Sequence, residues 1–312
     1  MRVVVTGGAG FIGANLCRAL AAHGHQVTAF DDLSTGRADN LDGVEGVALV
    51  VGSFLDKATT KSVIEGVDAV VHLGARPSVP KSVMDPLLSH EINVNGTMTV
   101  LEACRANQTP PHVIFASSSS VYGANPAIPK HEGLACLPRS PYAASKLSGE
   151  AYVLSYQSTY AIPALAFRFF NVFGALQRPD HAYAAVVPAF CKAALAGEPL
   201  PIHDDGLQTR DFTFVETVVD VIRRAIEGQI TSTTPVNLAF GTRTSLLEVV
   251  STLERILGHP LDRKHLPTRA GDVRDSQADN ASLRGLFPNV TPVGLEEGLR
   301  RYVEWFKTVA TS

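Results

Sequence analysis

Short apolar runs alternate with longer amphipathic stretches through the first half of the chain, and this alternation predicts its fold. The apolar runs lie at 3–6, 26–31, 47–52, 68–74, 112–117 and 164–171. Each is rich in Val, Ile, Leu, Ala or Phe and has the length of a strand. Stretches with helical character lie between them, at 11–24, 57–65, 86–106 and 140–160. Strands that are apolar on both faces are typical of a parallel sheet covered by helices, so we predict an α/β fold with a doubly wound sheet.

The pattern becomes less regular beyond residue 171. Turn sequences such as QRPD and DDG interrupt the segment 172–211, and the tail from Gly241 mixes short pieces of different character. We therefore predict a first domain over residues 1–167 and a second, smaller mixed α/β domain over 168–312. Residues 212–240 are expected to return to the first domain.

Composition and charge exclude several classes of protein. Hydrophobic residues make up 45% and charged residues 18% of the 312 residues, as in an ordinary globular chain. The net charge of −3 gives no reason to expect nucleic acid or an anionic membrane as a partner. None of the four cysteines lies in a CxxC pair or a zinc-ligand cluster, so we expect no metal site. Thiols without a disulfide pattern, and the lack of signal-peptide or membrane-helix features, predict a cytoplasmic protein.

The stretch TGGAGFIG (6–13) joins the first predicted strand to the first predicted helix. It satisfies GxGxxG with Gly8, Gly10 and Gly13, and GxxGxxG with Gly7, Gly10 and Gly13. Glycine permits a tight turn and a close approach of the backbone to a pyrophosphate, which the N-terminus of the following helix also attracts. A glycine cluster alone can be only a turn, but its place between a strand and a helix predicts a Rossmann-type dinucleotide site.

Asp31 ends the second predicted strand, roughly 20 residues beyond the glycine turn, where a carboxylate can hold a ribose diol. Its charge would repel a ribose 2′-phosphate, so NAD is favoured over NADP. Arg37 would favour NADP if it faced the ribose, but it lies beyond a loop and is interpreted as a solvated arginine.

The stretch SPYAASK (140–146) predicts a helix start that carries reactive side chains. Ser140 suits the N-cap and Pro141 the first helical position, which places Tyr142 and Lys146 four residues apart on one face. A nearby ammonium group stabilises phenolate, so we expect a lowered pKa that makes Tyr142 a general base for a substrate hydroxyl. On a helix without a dinucleotide turn, the same spacing would be an ordinary surface pair.

The glycine turn and the Tyr142–Lys146 pair together resemble the extended short-chain dehydrogenases/reductases. Further motifs narrow the resemblance to the NAD-dependent nucleotide-sugar epimerase/dehydratase family. They follow in family order along nearly the whole chain: HLGAR (72–76), NVNGT (93–97), SSSSVYG (117–123), SPYAASK (140–146), RFFNVFG (168–174), QTRDFTFV (208–215) and RAGD (269–272). The resemblance implies NAD as the cofactor and a UDP-sugar as the substrate.

The resemblance also implies roles for individual residues. Ser118 corresponds to the Ser/Thr that assists the tyrosine, so the implied catalytic residues are Tyr142, Lys146 and Ser118. The implied cofactor contacts are Gly7, Gly10, Phe11, Ile12, Gly13, Asp31, Leu73, Ala75, Asn93, Tyr142 and Lys146. The implied substrate contacts are Ser118, Ser119, Asn171, Arg178, Val187, Arg210, Arg269 and Asp272, with the last two arginines on the diphosphate and Asp272 on the uridine ribose.

The reaction is predicted from the residues next to Ser118. Dehydratases of the family carry an Asp-Glu pair within the SSSSVYG motif, and decarboxylases tend to carry a glutamate there, whereas this chain has Ser119 and Ser120. A serine hydroxyl is a poor acid or base at neutral pH. The resemblance therefore favours a 4-epimerase that inverts C4 through a 4-keto intermediate, with a dehydratase, decarboxylase or 4-keto reductase as the alternative. A regulatory relative that binds NAD without turnover is the non-enzymatic alternative.

Two positions bear on the choice of sugar. The pattern RPD-x-AY from Arg178 resembles the branch that acts on UDP-glucuronate, where a cation would offset the C6 carboxylate; a solvated arginine paired with Asp180 is equally compatible. Ser276 matches a position where glucose-only epimerases carry a tyrosine, which leaves room for an N-acetyl group. The sequence leans to UDP-glucuronate and leaves UDP-glucose/galactose and UDP-GlcNAc/GalNAc open. As in family members, the helices near 86–106 and 142–160 are expected to form a homodimer interface unless they are buried within one chain.

Overall fold

A computed structural model describes residues 1–179, 185–267 and 274–310. The strands are β1 (Arg2–Thr6), β2 (Gln26–Asp31), β3 (Val47–Val51), β4 (Ala69–His72), β5 (His112–Ser118), β6 (Ala164–Phe169), β7 (Asn171–Phe173), β8 (Leu200–His203), β9 (Thr209–Arg210), β10 (Phe212–Phe214), β11 (Val236–Leu238), β12 (Thr244–Ser245) and β13 (Arg263–Leu266). The helices are α1 (Phe11–Ala22), α2 (Lys57–Ile64), α3 (Val79–Met84), α4 (Pro86–His90), α5 (Gly96–Arg105), α6 (Pro141–Tyr160), α7 (Val186–Ala196), α8 (Val215–Glu227), α9 (Leu246–Leu257), α10 (Ala281–Leu286) and α11 (Leu295–Ala310). Short 3-10 helices lie at Ala38–Leu41 and Ser119–Tyr122.

Seven parallel strands form the central sheet in the order β11-β6-β5-β4-β1-β2-β3. The interior strand residues Val4, Ala29, Val70, Ile114 and Leu165 have no exposed surface, because helices cover both faces. The α/β prediction with a doubly wound parallel sheet is therefore confirmed. The strand order reverses between β1 and β4, and ligands of such sheets bind at the carboxyl ends of the strands beside this reversal.

Two predicted elements are interrupted in the structure. The apolar run 164–171 was predicted as one strand, but β6 ends at Phe169 and β7 pairs instead with β10 in a separate two-stranded sheet. Both pieces are apolar because both are buried, so the sequence pattern does not reveal the break between them. The predicted helix 86–106 contains α4 and α5 joined by a wider π-helical turn at Glu91–Asn95.

A second hydrophobic core lies outside the central sheet. It is formed by α7, α9, α11 and the short strands, with Phe190, Leu253 and Tyr302 fully buried at its centre. In contrast, α8 packs against α1 in the first core, and β11 pairs with β6. These contacts support a return of residues 215–240 to the first domain. Phe212 and Phe214, at the start of the predicted segment 212–240, lie instead in the second core. Residues 281–290 also join the first core through Leu283, Phe287 and Val290, which the sequence did not indicate.

Within the described residues, no helix is both long enough and apolar enough to cross a bilayer.

Candidate active site

A cleft of about 1030 Å³ opens at the carboxyl ends of the central strands, where the strand order reverses. Its size suits a ligand as large as a dinucleotide with part of a second molecule. Twelve of the residues predicted from the sequence line it: Gly7, Gly10, Phe11, Ile12, Gly13, Asp31, Leu73, Ala75, Ser118, Tyr142, Lys146 and Arg178. The fold thus brings the glycine turn, Asp31 and the Tyr142–Lys146 pair to one cavity.

The glycine turn leaves no space for side chains. Gly7 has a positive φ of 68°, and a Cβ on it would lie 2.9 Å from the Cα of Gly74 at the end of β4. A Cβ on Gly13 would lie 2.0 Å from the carbonyl oxygen of Gly7. Helix α1 begins directly after the turn, and no side chain caps its N-terminus. The backbone of the turn and the positive end of α1 are therefore presented to the cleft, as a pyrophosphate requires.

Asp31 is buried at the end of β2 and is fixed by backbone groups. Its Oδ2 accepts a hydrogen bond from the N–H of Ala9 at 3.0 Å, and its Oδ1 accepts one from the N–H of Leu33 at 2.9 Å. Burial raises the pKa of this carboxyl, and these backbone donors oppose the rise. Each carboxylate oxygen retains a second lone pair for a ribose hydroxyl. The glycine turn, the uncapped helix and this carboxylate fit NAD, which they would hold by its pyrophosphate and adenosine ribose.

Two arginines lie near the loop that follows β2. Arg37 lines the cleft, and its half-exposed guanidinium forms an ion pair with Asp39 at 2.6 Å. The guanidinium of Arg178 reaches the same Asp39 at 3.9 Å, from the segment that follows β7. Asp180, the other partner considered for Arg178, lies outside the described residues. Arg178 therefore contacts the cofactor side of the cleft, and its role at the sugar C6 stays a prediction.

Helix α6 begins as the sequence predicts. The hydroxyl of Ser140 accepts a hydrogen bond from the N–H of Ala143, and Pro141 occupies the first turn. The N–H of Tyr142 donates to the hydroxyl of Ser82 in α3 at 3.0 Å, so one orphan donor of the helix start is satisfied by a neighbouring helix. This contact fixes the first turn of α6, and with it the backbone of Tyr142, against the cleft wall.

Lys146 is almost completely buried one turn further along α6. Its ammonium group donates to the carbonyl oxygen of Ala116 in β5 at 2.7 Å and lies 5.2 Å from the ring centroid of Phe115. Burial lowers the pKa of Lys146 to about 8, because a charged group loses hydration there. The ammonium group is thus held in place by the carboxyl-terminal end of β5 while it faces the cleft.

The expected lowering of the Tyr142 pKa is not found in the protein alone. Burial raises the pKa of Tyr142, and a hydrogen bond from Ser118 opposes the rise only in part. The lowered pKa was expected from the charge of Lys146, but desolvation dominates when a phenol is enclosed. The positive ring of NAD+ is the remaining group that would favour phenolate.

A chain of buried hydrogen bonds supports α6 from behind. The side-chain amide of Asn93 donates to the hydroxyl of Ser145 at 2.9 Å, and that hydroxyl donates to the carbonyl oxygen of Tyr142 at 2.8 Å. The carbonyl oxygen of Asn93 accepts from Thr97 at 2.7 Å, and Thr97 contacts His72 at 3.0 Å. Asn93 is predicted as a cofactor contact; the structure places it behind the cleft wall, with its side chain bonded to the protein.

A buried ion pair joins α6 to the strands that it covers. Arg168 of β6 donates to Glu150 of α6 at 2.7 Å and 3.0 Å, and the hydroxyl of Ser117 donates to the same carboxylate at 2.6 Å. The guanidinium also stacks 4.7 Å from the ring of Tyr122. Because all its partners are fixed, this cluster sets the position of α6 relative to the end of β5, where Ser118 lies.

Several predicted substrate residues lie outside the wall of the cleft as the described residues form it. Asn171 begins β7, and its amide donates to the carbonyl oxygen of Asp211 at 3.3 Å. Val187 is buried in the second core, and Arg210 of β9 donates to the carbonyl oxygens of Thr209 and Arg274. Ser119 begins the 3-10 helix after β5. Arg269 and Asp272 lie outside the described residues, so all these substrate contacts stay predictions.

Three serines that hold α6 and the end of β5 in place were not predicted from the sequence. Ser82, Ser145 and Ser120 each bond to Tyr142 or Ser118. Ser82 and Ser145 belong to no pattern that predicts such a role, and Ser120 was considered only as a position where dehydratases carry an acid or base. Only their tertiary placement reveals them.

We expect Lys146→Met to stabilise the protein in the absence of cofactor while it abolishes turnover. Because the pKa of Lys146 falls from 10.5 to about 8 on folding, the unfolded chain binds more protons between these values, and stability rises with pH across that window. Below pH 8 the buried charge therefore costs stability in full. The free energy of unfolding at pH 7 should increase by about 1–3 kcal/mol in the variant, partly offset by the lost bond to Ala116.

Urea denaturation at pH 7 and pH 10 measures this effect, and the gain should shrink at the higher pH. Lys192→Met, at an exposed position of α7, serves as the control and should change stability by less than about 0.5 kcal/mol. A loss of stability at pH 7 in Lys146→Met would contradict the assignment of an unfavourable buried charge.

Comparison with known proteins agrees with this geometry. The model of the NAD dependent epimerase/dehydratase family matches residues 3–239. The chain is 39% identical over 311 residues to a UDP-glucose 4-epimerase of Mycolicibacterium smegmatis, with 98% of this chain and 99% of the relative covered.

Two solved structures are also similar over their whole length. A UDP-N-acetylglucosamine 4-epimerase from Methanobrevibacter ruminantium, in complex with UDP-N-acetylmuramic acid, is 36% identical with a TM-score of 0.93, covering 99% of this chain and 98% of that one. A UDP-glucuronic acid 4-epimerase from Bacillus cereus, in complex with UDP-glucuronic acid and NAD, is 30% identical with a TM-score of 0.87, covering 99% of this chain and 100% of that one. The matching family model and these full-length similarities lead to one conclusion: the chain belongs to the NAD-dependent epimerase/dehydratase family.

Proposed function

We propose that the protein is a UDP-sugar 4-epimerase that inverts C4 of the sugar through a 4-keto intermediate. The observation that carries the proposal is the convergence of Tyr142, Lys146 and Ser118 on the cleft that also contains the glycine turn and Asp31. A base, a cation and a hydroxyl donor beside a dinucleotide site are the groups needed to oxidise a secondary alcohol and reduce the ketone again.

The roles of the residues follow from their positions. NAD, when bound, supplies the hydride acceptor and donor at the sugar C4. Tyr142 takes the proton of the 4-hydroxyl and, once the 4-keto sugar has rotated, returns it to the ketone oxygen. Lys146 supplies a positive charge in the same cleft, and a hydrogen bond between Ser118 and Tyr142 favours phenolate. Asn93 and Ser145 hold the backbone of Tyr142 through both steps.

The residues next to Ser118 favour epimerisation over elimination. Ser119 and Ser120 stand where a dehydratase needs an acid and a base, and a hydroxyl supplies neither near neutral pH. The dehydratase, decarboxylase and 4-keto reductase alternatives therefore lack an identified group for their second step. The regulatory alternative is disfavoured because the Tyr142–Lys146 pair and Ser118 are all present at the cleft.

For the sugar we propose UDP-glucuronate, on the basis of Arg178. Its side chain lines the cleft and is 27% exposed, and its Nε–H is buried without a hydrogen-bond acceptor among the described residues. A buried Nε–H without an acceptor costs free energy, and an anion in the cleft would supply that acceptor. A C6 carboxylate would do so; a phosphate of the cofactor is the competing acceptor.

An NMR assay of the purified protein with UDP-glucose, UDP-GlcNAc and UDP-glucuronate tests the reaction and the sugar together. We expect conversion of each accepted sugar to its C4 epimer, without loss of water or CO2. A stable product of elimination or decarboxylation would contradict the epimerase proposal.

Replacing Arg178 with Met distinguishes the two anions that it could bind, the C6 carboxylate of the sugar and a phosphate of the cofactor. If it binds the sugar carboxylate, kcat/KM for UDP-glucuronate should fall at least about tenfold more than kcat/KM for UDP-glucose. An equal fall for both sugars, together with weaker NAD binding, would assign Arg178 to the cofactor and remove the basis for preferring glucuronate.

We also propose a cytoplasmic homodimer. All four cysteines are free, as in a reducing compartment. Apolar side chains are exposed on the outer faces of α4 and α6, where Leu87 is 81% and Tyr152 41% exposed. Light scattering across a range of concentrations should give twice the mass of the chain; a monomer throughout would contradict the dimer.

A further inference from the structure

The hydroxyl of Ser118 accepts two hydrogen bonds from one residue, Ser120. The hydroxyl of Ser120 lies 2.9 Å from Ser118 Oγ and donates to it. The backbone N–H of Ser120 donates to the same oxygen at 3.2 Å, as Ser118 caps the 3-10 helix Ser119–Tyr122. Both contacts lie at the end of β5, where Ser118 faces the cleft.

These two contacts decide the direction of the remaining hydrogen bond. A serine hydroxyl has one proton to donate and two lone pairs that accept. Because both lone pairs of the Ser118 oxygen accept hydrogen bonds from Ser120, the Ser118 hydroxyl can still donate its own proton in a hydrogen bond to a group in the cleft. Tyr142 lines the same cleft as Ser118. Burial raises the pKa of its phenol, and a hydrogen bond between the two side chains opposes that rise, as a donor to the phenol oxygen would. Ser118 therefore acts toward Tyr142 as a donor.

We propose that Ser120 is a positioning residue of the reaction, which fixes the Ser118 hydroxyl as a hydrogen-bond donor to the Tyr142 oxygen. The chain of donation runs from Ser120 through Ser118 to Tyr142. It stabilises negative charge on the phenol at the moment when Tyr142 is ready to accept the substrate proton. The inference rests on the proposed role of Tyr142 as the base, and it adds a function for a position where a dehydratase carries its acid or base.

Buried neighbours keep Ser120 from moving. Val121 and Tyr122 follow it in the same short helix and are buried, and the hydroxyl of Tyr122 donates to Asn237 of β11 at 2.6 Å. The ring of Tyr122 also lies under the guanidinium of Arg168. The short helix is thus anchored at its far end, and the Ser120 hydroxyl has a fixed position from which to reach Ser118.

Ser120→Ala tests the proposal because it removes one donor to Ser118 and leaves the backbone contact. We expect kcat to fall by about five- to tenfold with KM unchanged, since the lost hydrogen bond acts on the chemical step. The acidic limb of the kcat profile should move to higher pH, because phenolate is less stabilised and the pKa of Tyr142 rises. Ser120→Thr, which keeps the hydroxyl, should restore both values.

Ser251→Ala is the matched control. Its hydroxyl donates to the carbonyl oxygen of Leu247 within α9, far from the cleft, so kcat and the pH profile should not change. An unchanged profile in Ser120→Ala would overturn the proposal. So would a fall in kcat that leaves the acidic limb in place, since that result indicates a general structural effect.

A second readout separates this proposal from the epimerase proposal. In the complex with NAD, the ultraviolet absorbance of phenolate reports the titration of Tyr142 without any turnover, with a Tyr142→Phe protein as the blank. Ser120→Ala should shift this titration to higher pH even if none of the UDP-sugars tested is converted. The absence of a shift in a folded, NAD-binding variant would overturn the role of Ser120 alone.

Discussion

Replacing Tyr142 with Phe should lower turnover by roughly a thousandfold while NAD binding is retained, since general base catalysis contributes about 10²–10⁴-fold. The variant removes one oxygen from a side chain at the start of α6 and leaves the ring. The backbone contacts of residue 142 with Ser82 and Ser145 are preserved, so the helix start should keep its position. Only the group that accepts the substrate proton is lost.

A matched variant makes this result specific. Tyr160 lies at the end of the same helix, and its ring packs against Tyr156 and the guanidinium of Arg105. Tyr160→Phe should leave turnover within about twofold of the parent protein, because its hydroxyl is remote from the cleft. Turnover above a tenth of the parent value in Tyr142→Phe, measured with NAD saturating, would remove Tyr142 as the base.

Gly13→Ala should weaken NAD binding by at least about 100-fold. The added Cβ would lie 2.0 Å from the carbonyl oxygen of Gly7 and 2.8 Å from the Cα of Gly8, distances at which backbone atoms must move apart. The movement would open the turn that approaches the pyrophosphate and would tilt the first turn of α1 away from it. Thermal stability should also fall, because Gly7 is itself packed against the end of β4.

Isothermal titration with NAD and a thermal melt measure the two effects of Gly13→Ala. Gly285 offers the control: it lies in α10, has open space where a Cβ would stand, and alanine favours a helix more than glycine does. Gly285→Ala should leave NAD affinity unchanged and should not reduce stability. Near-parent NAD affinity in Gly13→Ala would mean that the turn tolerates a side chain and is not the pyrophosphate site.

The parts of the site that the sequence predicted are local in the chain. The glycine turn lies directly between β1 and α1, and Tyr142 and Lys146 share one face of α6. The relative positions of such residues are set by the few residues between them, so their spacing in the sequence is enough to predict that they lie together. The predicted strand at 164–171 was wrong in one respect, because burial in two different sheets gives the same apolar pattern as one continuous strand.

The sequence by itself determined the α/β fold, the place of the glycine turn and the presence of Tyr142 and Lys146 on one helical face, because periodicity and short-range spacing encode them. Only the tertiary structure decided the pKa of Tyr142, since enclosure by distant elements, rather than the charge of Lys146, dominates it. It also decided that Arg178 reaches Asp39 and that Ser120 donates to Ser118, because side-chain contacts depend on how the chain is folded around them. Desolvation and hydrogen-bond direction depend on which groups surround a side chain in the folded protein. The order of residues along the chain does not reveal them.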